Sequence, residues 1–347
     1  MPVVIPAGEL GEFVTALLGT AVPNPDHART ISDVLLWASL RGVDSHGVAR
    51  VPRYLELLDS GEANATPEMT FSAGPSGVTV LDADRAPGPV ALTAAAQEAV
   101  RRARAVGIGA VGVRRTVHTG AIGYYTSRIA DQGLVGIAFV AGMPNMSYPG
   151  VTGAAVATSP LSIAVPTSGS PAVLLDMATA GIALGKIAQY RNAGKTLPSG
   201  VAATADGTPT TDPALAKIPL PLGGAKGAGM SLVFELITSV LVGAPIVSSF
   251  HSDDPQGRVH RQNALIVALD PAAFGDPAVF TAQVSSTLAA LQSLPKADPD
   301  TEIRYPGENS AAIAESRAAK GIPVGPKVWG ELEVAAGKLG VALPTPV

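Results

Sequence analysis

Histidine is the side chain best suited to proton transfer near neutral pH, and one of the five histidines in this chain has chemically active neighbours. His46 lies in the string RGVDSHGVARVPRY. The residues around it add a hydroxyl, two guanidiniums and a phenol, from Ser45, Arg50, Arg53 and Tyr54. A guanidinium binds a carboxylate through two parallel hydrogen bonds. The spacing is compatible with a carboxylate site, and equally with a capping serine beside a half-buried histidine between two helices.

A second histidine, His118, lies in RRTVHTGAIGYYTSRIA, between a predicted strand and a predicted helix. Functional residues gather in loops of this kind, and the positive end of the helix dipole favours a neutral imidazole. From spacing alone, His118 is equally compatible with an acid/base role and with an ordinary helix start.

The remaining histidines are expected to lie at the surface. His27 falls in the first turn of an amphipathic helix and should face solvent, while His251 and His260 occupy FHSDDPQGRVHRQN, a polar string typical of a surface loop. A metal site made of these last two histidines with Asp253 and Asp254 matches no strict ligand spacing, and the chain has no cysteine. We therefore predict no metal site.

The string AVGIGAVGV spells the glycine pattern G-x-G-x-x-G, which in Rossmann folds binds the pyrophosphate of a dinucleotide. That use requires a strand before the glycines and a helix after them, because the pyrophosphate sits on the helix N-terminus. Here a helix with basic last turns precedes Gly107 and a short apolar strand follows it. The order is reversed, so the pattern indicates a helix end and a closely packed strand.

Another glycine-rich string, PLGGAKGAGMSLVFEL, has the order that phosphate binding needs, with Gly224, Lys226 and Gly227 directly before a helix. It is not a Walker A motif, because Gly227 follows Lys226 where serine or threonine is required. Asp176 is a further candidate, since it ends a predicted strand ahead of a helix and either caps that helix or binds a ligand hydroxyl.

The elements that must position these residues follow from periodicity and from Gly, Pro and Asn at the ends of each run. The predicted strands are 77–84, 108–113, 134–140, 161–167, 172–177 and 263–270. The predicted helices are 24–42, 51–61, 88–106, 119–132, 181–193, 227–242, 280–294, 310–319 and 326–336. Only SGSP separates the strands 161–167 and 172–177, which is too short for a crossover, so this pair should be antiparallel and the sheet mixed.

Composition limits the class of protein. The chain has 347 residues, of which 47% are hydrophobic and 15% charged, as in a globular protein. A net charge of -4 lacks the basic footprint of a nucleic-acid binder, so no nucleic-acid partner is expected. The first residues show no export signal, and Glu235, Gly243 and Pro245 interrupt the longest apolar run, so we expect no membrane association and a cytoplasmic location.

Taken together, several strings resemble the type-2 malate/L-lactate dehydrogenase family, also called the sulfolactate dehydrogenase-like oxidoreductases. They occur in the order of the family and cover nearly the whole chain. The strings are RGVDSHGVARVPRYLELLDSG, GIGAVGV followed by HTGAIGYY, LLDMATA, LPSGVAATADGTPTTDP, PLGGAKGAGMSLVFELITSVLVG, and IRYPGENS with GIPV.

The resemblance implies a fold and a reaction. The fold would be an α/β protein of α+β character, in which a non-Rossmann, mixed and largely antiparallel sheet with flanking helices binds the cofactor. Residues 76–294 would form this region, and residues 1–75 with 295–347 a mostly helical substrate and dimer region. Family members use NAD or NADP to interconvert 2-oxo and 2-hydroxy acids, and are typically homodimers. Some branches instead reduce cyclic imino acids or a diketo-sugar acid, or oxidise ureidoglycolate.

The resemblance also assigns residues by matching strings. His118 would be the acid/base, with His46 as hydrogen-bond donor or carbonyl polariser; branches of the family differ in which of the two is credited. The small carboxylate substrate would be held by Ser45, Arg50 and Tyr54. The cofactor would be bound by Asp176, Met177, Ala178, Gly224, Lys226, Gly227, Pro306, Gly307 and Glu308.

The chain departs from the family around the second histidine, where Val117 and Thr119 replace asparagine and phenylalanine. The family's Thr-Asn string after strand 134–140 is replaced by VAGMPNMSYPG, and its DMATS string ends here in Ala180. These departures bear on the substrate and on the choice between NAD and NADP. They leave two alternatives open, which are a reductase of cyclic imino acids and a degenerate member that binds nucleotide without turnover.

Overall fold

The computed structural model describes residues 2–347, apart from the Asn192 side chain. Its strands are β1 (Val3–Ile5), β2 (Thr70–Phe71), β3 (Val78–Asp82), β4 (Ile108–Thr116), β5 (Val135–Ala141), β6 (Pro160–Val165), β7 (Val173–Ala178), β8 (Ala202–Ala203), β9 (Ile218–Pro219), β10 (Gln262–Leu269) and β11 (Ile322–Val324). Its helices are α1 (Ala7–Gly19), α2 (Pro25–Leu40), α3 (Val51–Asp59), α4 (Gly88–Val106), α5 (Gly123–Ala130), α6 (Leu184–Asn192), α7 (Ala225–Glu235), α8 (Val247–Phe250), α9 (Pro277–Gln292), α10 (Glu308–Lys320) and α11 (Pro326–Leu339).

Seven strands form the main sheet, in the order β2-β3-β4-β10-β5-β6-β7. The pair β3–β4 is parallel, and the other neighbouring pairs are antiparallel. The predicted mixed sheet with flanking helices is confirmed. The predicted antiparallel pairing of β6 with β7 is confirmed as well, because the short connection over 166–172 cannot hold a crossover.

The G-x-G-x-x-G string ends a helix and starts a strand, as its order in the sequence predicts. Gly107 closes α4 in the left-handed region, with φ 87°, and its amide donates to the carbonyl of Ala103. A Cβ at Gly109 would lie 1.9 Å from the Ala99 carbonyl oxygen. This glycine lets the strand approach α4 closely.

Two hydrophobic clusters make up most of the core. In the first, α4 and α5 pack on one face of the main sheet, through buried residues such as Leu92, Ile129 and Ile266. In the second, helices from both ends of the chain, α1 to α3 and α11, pack around the antiparallel pair β1–β11. The two ends of the chain therefore share one core, which also includes buried residues of α3.

The largest shifts from the predicted helix boundaries are at the start of α5 and the end of α7. Helix α5 begins at Gly123 and not at 119, because Gly120 takes a φ of 70° that belongs to a loop. Helix α7 ends at Glu235 and continues as a π-helical turn over Leu236–Val240. The strands β1 and β11 were not predicted, since three residues are too few to show a period.

Register places the ends of five strands at one edge of the sheet. Thr116 at the end of β4 pairs with Gln262 at the start of β10, and Asn263 pairs with Ala141 at the end of β5. Pro160 at the start of β6 pairs with Ala178 at the end of β7. We call this the Gln262 edge, and the loops that leave it carry the polar side chains described next.

Among residues 2–347, no helix is both long enough and apolar enough to cross a membrane.

Candidate active site

His118 leaves β4 at the Gln262 edge, and its ring is held from one side. The Tyr54 hydroxyl lies 3.1 Å from Nδ1 and donates to the His118 carbonyl oxygen at 2.9 Å, and the Gly120 amide donates to Nδ1 at 3.3 Å. Because Nδ1 is occupied by these protein groups, Nε2 is the ring nitrogen left for a ligand.

His46 stacks on His118, with ring centroids 5.9 Å apart and planes inclined by 20°. It ends the short 3-10 turn Asp44–His46, and its Nδ1 lies 3.1 Å from the Ser45 hydroxyl. Arg50 reaches back, and its Nε donates to the Ser45 carbonyl at 2.7 Å. The terminal amino groups of Arg50 have no hydrogen-bond partner within residues 2–347, so they remain for an anionic ligand. The five predicted catalytic and substrate residues thus lie together.

Burial and positive charge keep both imidazoles neutral. Burial, and then the charge of Arg50, lowers the pKa of His46 to about 4. Burial likewise lowers the pKa of His118 well below its usual value, with Arg50 and His46 adding to the effect. Burial raises the pKa of Tyr54, so its hydroxyl keeps its proton. A bound anion would offset the charge of Arg50 and raise the pKa of both imidazoles.

The histidines open into a cavity of about 330 Å³ along the Gln262 edge. Its polar lining consists of His46, Arg50, His118, Thr119, Asn145, Thr158, Ser159, His260 and Gln262. Its other lining residues are Gly120, Val140, Gly142, Met143, Pro144, Ala157, Pro160, Ala178, Ala183, Leu184 and Gly185. None of the lining residues is Asp or Glu, so the cavity is suited to an anion. A larger groove of about 1080 Å³ beside α3 and α11 contains no histidine and no arginine, so it offers neither an acid/base nor this anion site.

Two of the three histidines that were expected at the surface are not fully exposed in the structure. His260 lines the cavity, so the prediction that it lies at the surface was wrong. It directly precedes β10, and because Gln262 of β10 pairs with Thr116 of β4, His260 lies close to the loop of His118. His27 is half-buried and does not face solvent freely. His251 is exposed, as predicted. Within residues 2–347, no three His, Asp or Glu side chains stand close enough to share a metal ion.

Gln262 was not singled out from the sequence. Its Oε1 accepts a hydrogen bond from the Thr119 amide at 3.0 Å, although 143 positions separate the two residues. Its side chain therefore ties β10 to the loop that carries His118. The sequence places Gln262 at the start of a predicted strand, but it does not show that this strand is the neighbour of β4.

Asp176 lies on the edge strand β7, next to the start of α5. One of its carboxylate oxygens accepts from the Gly123 amide at 3.0 Å, and a Cβ at Gly123 would lie 2.6 Å from that oxygen. Asp176 remains accessible to solvent. The surrounding protein raises its pKa to about 6, against the lowering effects of the Gly123 amide and Arg41. The predicted capping of the following helix is therefore wrong, because α6 begins after Ala183 without a side-chain cap and Asp176 instead accepts from the first residue of α5. Binding of a ligand hydroxyl stays a prediction.

The glycine loop before α7 packs directly beside the strand that carries Asp176. Gly224 takes a φ of 63° at the helix start, and the Leu222 amide donates to the Thr179 carbonyl at 2.9 Å. A Cβ at Gly227 would lie 2.4 Å from that same carbonyl oxygen. Lys226 is exposed beside these groups. The structure thus brings this loop next to Asp176, Met177 and Ala178.

The third cofactor string, Pro306 to Glu308, packs against the start of the same edge strand. The Leu174 amide donates to the Pro306 carbonyl at 2.8 Å, and Gly307 takes a φ of 93° with Leu174 against it. The Glu308 carboxylate accepts from the side-chain amide of Gln292 at 2.9 Å. The three predicted cofactor strings therefore line up along β7 and its extension.

These residues fit a nicotinamide dinucleotide. The helix start at Gly224 to Gly227 offers the Ala225 amide and the Lys226 ammonium for phosphates, because the other three amides donate to the carbonyls of Pro221, Gly223 and Leu222. The tight contacts at Gly227 and Gly307 exclude side chains beside the strand. Apolar groups of Ala178, Ala183 and Leu184 line the cofactor end of the cavity, where a planar ring could pack.

Comparisons with known proteins show what this chain is similar to. The family model described as malate/L-lactate dehydrogenase matches residues 5–333. A ureidoglycolate dehydrogenase (NAD(+)) of Escherichia coli (strain K12) is 32% identical over 302 residues, which cover 86% of each chain. A malate dehydrogenase of Pyrococcus abyssi is 33% identical over 349 residues, covering 97% of this chain and 95% of that protein. The solved structure of sulfolactate dehydrogenase from Methanocaldococcus jannaschii has a TM-score of 0.88 at 28% identity, covering 97% of this chain and 98% of that one.

Proposed function

We propose a reaction for this protein from one premise, which is that the chain belongs to the malate/L-lactate dehydrogenase family. The proposed reaction is hydride transfer between NADH or NADPH and a small 2-oxo acid, or its reverse from the 2-hydroxy acid. The observation that carries the proposal is the stacked pair His46 and His118, which shares a cavity with Arg50 and with Ala178 of the cofactor strand. A carboxylate anchor, two imidazoles and a cofactor segment thus meet in one place.

Arg50 binds the substrate carboxylate through its free amino groups and fixes the carbonyl carbon in the cavity. Ser45 holds Arg50 through its carbonyl and His46 through its hydroxyl, so substrate anchor and imidazole keep a set distance. Because the bound carboxylate offsets the charge of Arg50, the pKa of His118 rises towards the range in which it exchanges protons.

His118 moves the proton of the substrate oxygen. In oxidation, neutral His118 carries its proton on Nδ1, which donates to the Tyr54 hydroxyl in place of the 3.3 Å contact from the Gly120 amide, and Nε2 accepts the hydroxyl proton of the substrate. In reduction, His118 starts as the imidazolium, and its Nε2–H passes the proton to the developing alkoxide. His46 lies against the same ring and donates a hydrogen bond to the same oxygen. The bound nicotinamide supplies the hydride in reduction and accepts it in oxidation.

The cofactor is held without a Rossmann arrangement. The Ala225 amide and the Lys226 ammonium at the start of α7 bind phosphate, and the Asp176 carboxylate accepts a hydrogen bond from a cofactor hydroxyl. Pro306 to Glu308 form the remaining contact along β7. These contacts serve NAD and NADP alike, so both belong in the test.

We further propose a homodimer. The outer face of α7 and its π-helical turn exposes an apolar row at helical spacing, with 50% of Val233, 48% of Leu236, 48% of Val240 and 66% of Leu241 accessible. A row of this kind is typical of a protein–protein interface. This row lies outside residues 1–75 and 295–347, which the resemblance assigned to the dimer contacts. We therefore propose α7 as the dimer interface instead. We keep 1–75 with 295–347 as the substrate region, since Ser45, Arg50 and Tyr54 belong to it.

The test is a substrate panel with both reduced cofactors. We expect oxidation of NADH or NADPH with at least one 2-oxo acid, followed at 340 nm (the reduced nicotinamide band) as a function of substrate. Preference for cyclic imino acids would replace the carbonyl substrate by a C=N substrate at the same site. Cofactor binding without turnover of any substrate would instead indicate the degenerate member, and absence of cofactor binding would reject the proposal.

A further inference from the structure

Tyr125 contacts the loop of His118 from outside the cavity. It lies on α5, and its hydroxyl donates to the Thr119 carbonyl at 2.6 Å. Tyr125 does not line the cavity, and only 1% of its surface is accessible, so it does not touch a ligand bound there. Any effect of Tyr125 on the reaction therefore passes through the backbone next to His118.

The hydrogen bond from Tyr125 is short, and its donor stays protonated. Most O–H···O bonds measure about 2.7–2.8 Å, so this bond is among the shorter ones. Burial raises the pKa of Tyr125 well above its usual range, and the neighbouring Tyr54 and Tyr124 add to the effect. The hydroxyl therefore keeps its proton and acts as a donor to the carbonyl.

The carbonyl that Tyr125 holds belongs to the same peptide group as an amide that faces His118. The Thr119 carbonyl and the Gly120 amide are the two ends of one planar trans peptide, so they point in opposite directions. The Gly120 amide lies 3.3 Å from Nδ1 of His118, which is long for a bond from an amide, where about 2.9–3.0 Å is usual. While Tyr125 holds the carbonyl at one end, the amide at the other end does not close on Nδ1.

Other contacts keep the loop from moving as a whole. The Thr119 amide donates to Oε1 of Gln262 at 3.0 Å. A Cβ at Gly88, the first residue of α4, would lie 2.3 Å from the His118 carbonyl oxygen and 2.4 Å from the Thr119 α-carbon. With the loop fixed at these points, the next peptide group can still rotate about its own axis. The Tyr125 hydroxyl is the contact that sets this rotation.

The position of the Gly120 amide bears on which ring nitrogen of His118 carries the proton. In the proposed reaction Nδ1 is protonated in both directions, and Nε2 exchanges its proton with the substrate. An amide hydrogen that closes on Nδ1 favours this nitrogen as an acceptor, and the neutral ring then carries its proton on Nε2. In that form Nε2 does not accept the hydroxyl proton of a substrate.

We infer that Tyr125 is a positioning residue for His118. By holding the Thr119 carbonyl, its hydroxyl keeps the Gly120 amide away from Nδ1, so that Nδ1 carries the proton and Nε2 is free to act as the base. The inference rests on the proposed function, which gives the proton transfer to His118. It adds a residue on α5, outside the cavity, to the groups on which that transfer depends.

The kinetic test uses Tyr125→Phe, which removes only the hydroxyl. We expect the rate of a single turnover in oxidation of the 2-hydroxy acid to fall by about 10- to 100-fold, the effect of a misplaced catalytic group. A single turnover is measured because it separates the chemical step from product release. The Kd values of the cofactor and of the 2-hydroxy acid should stay unchanged, because Tyr125 contacts neither Arg50 nor the cofactor strings.

Tyr124→Phe is the matched control on the same helix. Tyr124 is 7% accessible and packs edge-on against Trp37, and its hydroxyl has no hydrogen-bond partner within residues 2–347. Its single-turnover rate should equal that of the unaltered protein. A merely structural role of Tyr125 would weaken cofactor binding together with the rate. That result, or an equal loss of rate in both variants, would overturn the inference.

A spectroscopic measurement separates this inference from the proposed function, because it requires neither substrate nor turnover. The rings of the five histidines are labelled with nitrogen-15, and His118→Ala identifies the His118 signals. At neutral pH this imidazole is neutral, since burial lowers its pKa, and the two nitrogen shifts show which nitrogen carries the proton. We expect the proton on Nδ1 in the unaltered protein and in Tyr124→Phe, and a larger share of it on Nε2 in Tyr125→Phe.

The outcomes are distinguishable. If the protein turns over no 2-oxo or 2-hydroxy acid, the proposed function fails, and the nitrogen shifts still decide whether Tyr125 positions the ring of His118. Equal shifts in Tyr125→Phe and in the unaltered protein would overturn the inference. A proton on Nε2 in the unaltered protein would overturn it as well.

Discussion

The charge of Arg50 has two consequences, one for ligand binding and one for the pKa values of the two imidazoles. It is the free guanidinium of the cavity, and it is also the largest charge effect on both imidazoles, after burial. In the absence of substrate it adds to the effect of burial, which keeps His46 and His118 neutral, and in the proposed reaction a bound carboxylate would offset its charge. Substrate binding and readiness for proton transfer are therefore coupled through a single residue.

Arg50→Gln should change the pH dependence of the oxidation reaction. Neutral imidazole is the active form in that direction, so kcat/KM stays level above the imidazole pKa and falls below it. Removing the cation raises the pKa of His46 and His118, so the acid limb should move to higher pH, while kcat/KM falls at every pH because the carboxylate anchor is lost. The measurement is the pH profile of kcat/KM. Arg53→Gln should move the limb less, and an unmoved limb in Arg50→Gln would contradict the coupling.

His118→Ala should lower kcat by about 10²- to 10⁴-fold, the usual contribution of a positioned acid/base. His46→Ala should lower it less, because His46 polarises the oxygen without carrying the proton. Steady-state kinetics of the two variants with the same substrate make the comparison. If His46→Ala has the larger effect, the two roles are exchanged.

Part of the site could be predicted from local spacing and part could not. Ser45, His46, Arg50 and Tyr54 lie within one short string, and the string itself suggested a carboxylate site. Gln262 meets Thr119 through strand pairing, and no local pattern shows which strand becomes the neighbour of β4. The roles of the individual residues stay predictions until variants are measured.

At the scale of elements, Gly227 determines how closely the start of α7 packs against the segment after β7. Gly227 lets the helix start lie against the Thr179 carbonyl, whereas Gly229, one half-turn later, has open space around its α-carbon. The two glycines belong to the same helix and differ only in this contact.

Gly227→Ala should therefore displace the helix start and raise the Kd of the cofactor about tenfold, or about 1.4 kcal/mol. Gly229→Ala is the matched control and should leave the Kd unchanged, with a small gain in thermal stability because alanine is the better helix former. Calorimetric titration with NADH and NADPH measures both. Equal Kd values in the two variants would remove the start of α7 from the cofactor site.

Elements were predictable where glycine, proline or aspartate marked their ends. Asn24 caps α2 through a hydrogen bond from the Asp26 amide, and Gly107 ends α4, as the sequence indicates. The π-helical turn after Glu235 was not predictable, because LITSV contains no glycine or proline that would mark a change of helix type. The sequence also did not show which apolar side chains of this segment are exposed, because that depends on which side of the helix packs against the sheet.

At the scale of the whole molecule, the site draws on distant parts of the chain. The amino-terminal residues supply Arg50 and Tyr54, the sheet supplies His118 and Gln262, and the segment near Gly307 packs on the edge strand. The family predicted from the sequence is confirmed, and so are the dehydrogenase class and the mixed sheet. The cytoplasmic location stays a prediction.

The exposed row on α7 makes a prediction about assembly. The unaltered protein should have twice the 34.9 kDa mass of one chain in light scattering, and Leu236→Glu combined with Leu241→Glu should reduce it to a single chain, because paired carboxylates oppose burial of the row. Leu343→Glu, at a similarly exposed leucine in the C-terminal tail, should leave the mass unchanged. A single-chain mass for the unaltered protein would contradict the dimer.

The most direct test of the central claim follows the hydride itself. The protein is supplied with a 2-oxo acid that it reduces and with NADH or NADPH carrying deuterium at C4 of the nicotinamide, and the product is analysed by nuclear magnetic resonance. Transfer within the cavity predicts deuterium on C2 of the 2-hydroxy acid. Product without deuterium at C2, from either face of the labelled ring, would contradict it.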